Sequence, residues 1–225
     1  MSLIEDLIGS VDDIAAEDLR TGKRYTAAKV AGKIGLAYSF GAAANREITE
    51  RKALLRSDDL CEASVGAAVL NALLPLGEHR EIEIFGHILR IAGDYGRIGI
   101  VGRFPFISEL RKTNEVLAFE LEPRGEELPC ELERELLPEC DLVIITGASL
   151  VNHTLEDLLE LSGGYAFVIG PTTPLSPLLF DYGADLIAGV RVIDDRILGM
   201  VENGGGTKEF KTFTEDVFIE KRSFM

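Results

Sequence analysis

Four short segments gather hydroxyl, amide, glycine and charged side chains directly behind apolar runs. Gly102-Arg103-Phe104-Pro105 closes the run RIGIVG at 97–102, and Thr146-Gly147-Ala148-Ser149-Leu150-Val151-Asn152-His153-Thr154 follows Leu142 to Ile145. Gly170-Pro171-Thr172-Thr173-Pro174 follows Ala166 to Ile169, and Arg191-Val192-Ile193-Asp194 follows Asp185 to Val190. The first segment invites a nucleotide reading. Gly99 and Gly102 flank a strand-to-helix turn, and Glu122 stands about 20 residues on, where a ribose-binding acid belongs. GxGxxG is absent, however, and Phe104-Pro105 puts bulk where a pyrophosphate needs close approach to the backbone. The competing reading makes Gly102 a plain turn residue and Glu122 a solvated strand-end acid. In the second segment Thr154, followed by Glu156 and Asp157, has the form of a helix N-cap, which leaves Asn152 and His153 to be explained.

For metal chemistry, soft ligands normally come in clusters, and no cluster is visible here. His153 is the histidine at this ligand edge and, with Asp194, makes the candidate metal-donor pair; a hydrogen-bonded structural role is the commoner fate of a lone histidine. His87, among Ile84, Ile88 and Ile91, belongs to packing. Cys61 and Cys140 sit among small or apolar residues and read as small hydrophobes. Cys130 lies in an acidic loop with Glu126, Glu127, Glu131 and Glu133, where it could join carboxylates in a weak surface cation site. No GxSxG elbow, P-loop or HExxH occurs, which disfavours hydrolases of those kinds.

These loops need elements to hold them. Leu3, Ile4, Leu7, Ile8, Val11, Ile14 and Ala15 form a helical stripe over residues 3–18. Tyr25–Ala31 and Lys33–Phe40, hinged at Gly32, predict an antiparallel hairpin, with residues 46–52 as a further edge strand. Asp58 and Asp59 precede a helix that buries Leu60, Val65, Ala68, Val69, Ala72 and Leu73 and stops at Pro75. Beyond a helix at 82–92, five apolar runs alternate with helix-compatible segments, and near-continuous apolar strands mean a parallel sheet covered on both faces. The expected fold is therefore α/β: a small α+β domain at 1–80, then a Rossmann-like doubly wound domain at 81–225. In such a sheet ligands bind beyond the carboxyl ends of the strands, where all four loops fall.

The 225 residues carry a net charge of -15, which would repel a phosphate backbone, so nucleic acid is not an expected partner. No apolar run is long enough to span a bilayer. Three scattered cysteines and an acidic N-terminus without a signal-like apolar run fit a reducing cytoplasm. A homo-oligomer is compatible with all of this. The charge is segregated: residues 115–160 hold 13 acids and two bases, residues 20–56 nine bases and two acids.

Three stretches, VGRFP at 101–105, DLVIITGASLVNHTLEDLL at 141–159 and GPTTPLSPLLFDYGADLIAGVRVID at 170–194, resemble the putative heavy-metal chelation proteins of bacteria and archaea. EASVGAAVLNALL at 62–74 is similar to that family's helix closing a small domain like the N-terminal domain of enolase. The resemblance implies a site in the cleft between the two domains. Carried over by position, it comprises Gly102, Arg103, Phe104, Pro105, Thr146, Gly147, Asn152, Thr154, Gly170, Pro171, Thr172, Pro174, Arg191 and Asp194. It also implies handling of a metal ion or a metal-linked small molecule. Two other functions stay open: an enzyme using a nucleotide-like or adenosyl cofactor, with Glu122 on the ribose, and a non-catalytic module that binds a small anion or serves an assembly.

Overall fold

The computed structural model describes residues 2–41, 52–81 and 83–221. Helix α1 (Leu3–Gly9) is capped by Ser2 and buries Leu3, Leu7 and Ile8. It is half the length its apolar stripe predicts, because Gly9-Ser10 ends it and the chain turns extended into β1 (Asp18–Thr21). β1 pairs antiparallel with β2 (Tyr25–Val30), which pairs with β3 (Lys33–Tyr38). Ala31 and Gly32 both have positive φ (49° and 75°), the left-handed pair that a two-residue hairpin turn of type I′ requires. The strand expected at 46–52 falls on residues outside those described, except Lys52, which opens the 3-10 turn Lys52–Arg56.

Helix α2 (Leu60–Leu73) begins at Asp59, whose carboxylate accepts from the Cys61 and Glu62 amides. The helix lies directly on β3: a Cβ on Gly35 would stand 2.2 Å from the Ala68 carbonyl oxygen, so only glycine permits this approach.

The larger sheet is built on β5 (Arg97–Val101), β6 (Glu115–Glu120), β8 (Leu142–Thr146), β9 (Tyr165–Ile169) and β10 (Leu186–Val192). Three further strands extend it: β4 (Arg80–Glu81), β7 (Leu128–Pro129) and β11 (Thr214–Glu220). The spatial order is β4-β11-β10-β9-β8-β5-β6-β7, with antiparallel pairing only at β10-β11 and β11-β4. Chain order runs one way from β5 through β6 to β7 and the other way from β8 through β9 to β10. The topological switch point therefore lies between β5 and β8.

Side chains alternate across this sheet. Val143, Ile145, Ala166, Val168 and Ile187 face α1, α2 and α6 (Leu155–Leu161); Ile98, Ile100, Leu142, Ile144, Phe167 and Ile169 face α3 (Ile84–Ala92) and α4 (Ile107–Leu110). The remaining helices are the single turns α5 (Glu133–Leu136) and α8 (Thr207–Phe210) and the short α7 (Ile197–Glu202). No helix among the described residues is long and apolar enough to cross a membrane.

The small sheet is tied to the large one by polar contacts as well as by the shared core. The Tyr38 amide donates to Thr172 Oγ1 at 2.9 Å, and the Asn71 side-chain amide donates to the carbonyls of Leu36 (2.9 Å) and Thr172 (3.0 Å). Tyr182 donates its hydroxyl to Asp6, and Lys29 pairs with Asp195.

Candidate functional site

At the switch point the chain encloses a cavity of about 400 Å³. Its floor is the carboxyl ends of β5, β6 and β8: Val101 and Gly102, Phe119 and Glu120, and Thr146. The loop after β8 adds Ala148, Ser149, Asn152 and Thr154, and the segment after β7 adds Cys130, Glu131 and Glu133. The small sheet contributes Tyr25, Tyr38 and Phe40.

Gly102 lets β5 end this way. Its φ is +105°, and a Cβ there would stand 2.9 Å from the Thr146 side chain, so the turn and the β5-β8 contact both demand glycine. Tyr25 and Tyr38 are cross-strand partners and so share a face of the hairpin. Their rings meet edge to face at 5.7 Å, and Tyr38 meets Phe40 in the same way at 5.0 Å, which gives the cavity an aromatic arc. Burial pushes the Tyr25 hydroxyl far above its usual range, so it remains a neutral phenol.

The electrostatics are set by glutamates. Burial, reinforced by Glu131 and Glu120, pushes the Glu133 carboxyl up to about 7. Burial also raises Glu120, against the pull of Arg103, and burial with Glu131 and Glu133 raises the Cys130 thiol, which thus stays protonated. Arg103, the cation among the described lining residues, is already committed. It donates to both carboxylate oxygens of Glu127 (2.9 and 2.8 Å) and to the Glu122 carbonyl (2.7 Å), and stands 3.7 Å from Glu120. That pair holds the Glu127 carboxyl down at about 2.

Of the residues read from sequence, Gly102, Arg103, Thr146, Asn152 and Thr154 line this cavity together. Asn152 Oδ1 accepts from the Thr154 hydroxyl at 2.8 Å. Gly147 is buried against Thr173 instead. Phe104 turns to the other face of the sheet and stacks on Phe106 at 5.2 Å, and Pro105 is exposed. Gly170 and Pro171 line a separate, smaller groove with Phe85 and Phe210, while Thr172 and Pro174 are buried. The β9 and β10 loops share the carboxyl edge but none of their residues lines the cavity; the β9 loop meets its wall from behind, where Thr172 accepts from the Tyr38 amide. Arg191 is held by Glu81 and Glu215, and Asp194 grips Arg196 at 2.6 to 3.0 Å.

Two more of these residues lie away from the cavity. Glu122 does not line the cavity; it offers only its backbone carbonyl to Arg103, and Glu120, two residues earlier on the strand, occupies the strand-end position. His153 faces away, into a groove with Leu3, Arg56 and Glu156. Its Nε2 lies 2.7 Å from the Leu55 carbonyl, which can only accept, so that nitrogen carries hydrogen. With φ +64°, His153 is a left-handed residue that sits between two cavity-lining neighbours, Asn152 and Thr154. Among the described residues no group of three or more His, Cys, Asp or Glu is arranged to hold a metal ion; His153 lies in the groove with Arg56, and Asp194 lies against Arg196.

Tyr25, Tyr38, Phe40, Phe119 and Glu120 went unnoticed in the sequence. Two signals were there: the Tyr-x-Phe spacing at 38–40 and the aromatic pair at the open end of the hairpin. Cys130, Glu131 and Glu133 were noticed only as a surface cluster.

Comparison with known proteins agrees with this architecture. A crystal structure of a protein of unknown function from Desulfitobacterium hafniense superimposes with a TM-score of 0.84 at 25% identity, covering 97% of both chains. Another, from Pyrococcus horikoshii, gives 0.83 at 23% identity over 96% of this chain and 97% of its own. An uncharacterized protein of Methanocaldococcus jannaschii is 28% identical over 188 residues, 78% of this chain and 73% of its own length. Two family models, each described as "putative heavy-metal chelation", match residues 4–74 and 85–220. The chain belongs to the putative heavy-metal chelation family.

Proposed function

We propose that the switch-point cleft handles a metal ion that arrives bound to a small molecule. The observation that carries this reading is the sign of the cavity: Glu120, Glu131 and Glu133 line it, while Arg103 is neutralised by its own glutamates. A cavity of about 400 Å³ falls in the range of small-molecule sites. Because no three His, Cys, Asp or Glu among the described residues are arranged to hold an ion by themselves, in this reading the glutamates contribute charge and the small molecule contributes most of the coordination shell. The family description supports the metal; the lining supports the molecule that carries it.

The test uses nickel alone and the nickel–bipyridine complex in equilibrium dialysis against the full chain. The complex should be retained at least tenfold better than bare nickel, and a Glu120→Gln/Glu133→Gln variant should lose that advantage. Equal retention by the variant would remove the cleft from metal handling.

A second reading, an enzyme with a nucleotide-like or adenosyl cofactor, draws support from the strand order. The Gly102 turn after β5 and Glu120 at the end of β6 stand where a Rossmann-like domain holds a ribose. A one-site ligand at 100 times its dissociation constant stabilises by about 2.7 kcal/mol. A thermal-shift screen of adenosine, AMP and adenosyl compounds that stays silent would end this reading.

A further inference from the structure

Resting on the cleft as a site for a metal-bearing small molecule, we infer that the organic part of the ligand is a flat ring carrying a positive charge or paired N–H donors, an aromatic amine or amidine, and that phosphate-bearing molecules are rejected. Three features of the lining carry this, each independent of the metal.

The first is the arc of Tyr25, Tyr38 and Phe40. Successive near-perpendicular rings, at 84° and 76°, present both π-faces and ring edges to one cavity. Such a wall suits a planar group stacked or set edge-on, and π-faces attract cations and repel anions. The second is the carboxylate set Glu120, Glu131 and Glu133. Two-oxygen acceptors match the parallel N–H pairs of amidines and aminated rings, the geometry that also pairs Arg103 with Glu127.

The third is that the groups an anion would need are spent. Arg103 spends Nε and Nη2 on Glu127 and the Glu122 carbonyl, so the charge it would bring to a phosphate is already balanced by Glu127, with Glu120 3.7 Å away. At the turn after β5, where dinucleotide-binding domains offer backbone N–H groups to a pyrophosphate, the Gly102 amide bonds to the Phe119 carbonyl. Pro105, a little further on, has no N–H at all. After β8, the Ala148 amide is taken by Thr146 Oγ1 at 3.3 Å. The lining thus selects by sign as well as by shape, and its sign opposes the anion-binding role compatible with sequence alone.

The experiment compares ring-matched probes, benzamidine and phenyl phosphate, by calorimetric titration of the full-length chain in phosphate-free buffer at pH 8. Benzamidine should bind at least tenfold more tightly than phenyl phosphate, and Tyr38→Leu and the exposed-site variant Glu131→Gln should each weaken it several-fold. The Glu120→Gln/Glu133→Gln variant, checked for native circular dichroism, should weaken it at least tenfold. Phenyl phosphate binding as well as benzamidine, or benzamidine binding unchanged in the glutamine variants, would overturn the inference. Nickel–bipyridine retention in the same samples separates the two claims. If the complex is retained and benzamidine is silent, the cation preference fails and the metal reading stands. If benzamidine binds through the glutamates and the complex is not retained, the metal reading is the one that falls.

Discussion

Replacing Glu133 by Gln should make the protein more stable at pH 8 and leave it unchanged at about pH 3.5, below the ordinary carboxyl range. Glu133 lines the cleft with its carboxyl raised from the ordinary 4.5 to about 7, first by burial and then by Glu131 and Glu120. A carboxyl raised in the folded state binds more protons there than in the unfolded chain. Its penalty is therefore absent below about pH 4.5, grows as pH rises, and is complete above about pH 7. At about 1.4 kcal/mol for each tenfold change in proton affinity, the upper bound is about 3 kcal/mol. The side chain is only half removed from water, and screening brings the expected value down to about 1–2 kcal/mol. Glutamine has the shape of the protonated acid and pays none of it. Urea denaturation of both proteins at about pH 3.5 and at pH 8 reads this directly. The midpoints should coincide at about pH 3.5 and separate at pH 8 with the variant ahead. A separation of equal size at both values would mean that packing, not charge, distinguishes the two side chains. A wild type that gains stability between about pH 3.5 and pH 8 relative to the variant would refute the reasoning altogether.

Other perturbations follow from the same geometry. Arg103→Met should raise the Glu127 carboxyl from about 2 toward the ordinary range, with the Arg124 amide still holding it partly down, as followed by carboxyl NMR. Since a depressed carboxyl stabilises above about pH 4.5 and loses that effect as pH falls toward 2, the variant's stability should decline less steeply in acid. Gly102→Ala must place an alanine at φ +105° with its methyl 2.9 Å from Thr146, and should cost about 1–3 kcal/mol in urea titration. His153→Gly and His153→Ala both lose the tie to the Leu55 carbonyl, but only alanine also carries the left-handed strain. The alanine variant should therefore be the less stable by about 1 kcal/mol.

How much of this could be read from the sequence depends on the range of the forces involved. Strands β5, β8 and β9 announce themselves because both of their faces are buried, so their residues are apolar without alternation. The hairpin is equally plain, since Ala31-Gly32 is a local turn. β11, spelled TEDVFIE, mixes acids with apolar residues and gave no such signal; it is an antiparallel strand whose outer neighbour is only the two-residue β4. Helix α1 shows the limit of periodicity: Val11 and Ile14 keep the helical spacing after Gly9-Ser10 has ended the helix.

In the site, Gly102 and the 146–154 loop were legible because strand ends carry ligand loops in any parallel sheet. The loops at 170 and 191 looked equivalent because spatial order is invisible in one dimension, and only the order β9-β8-β5-β6 tells which ends adjoin the switch point. The aromatic arc was illegible for a related reason. Tyr25, Tyr38 and Phe40 matter through the docking of one sheet on another, fixed by partners as distant as Thr172.

That docking has a kinetic consequence. The Tyr38 amide is bonded to the Thr172 hydroxyl, and the Asn71 side chain bridges the Leu36 and Thr172 carbonyls, so the aromatic wall is anchored to the β9 loop through partly buried hydrogen bonds. Opening the cleft as a hinge would break these bonds together with the apolar core that α1 and α2 share with the large sheet. A ligand of the proposed cleft would therefore exchange without hinge opening, past lining residues such as the exposed Leu121. Stopped-flow binding should then be a single exponential whose rate rises linearly with ligand concentration without saturating, and a cationic ligand's association should slow as salt is added.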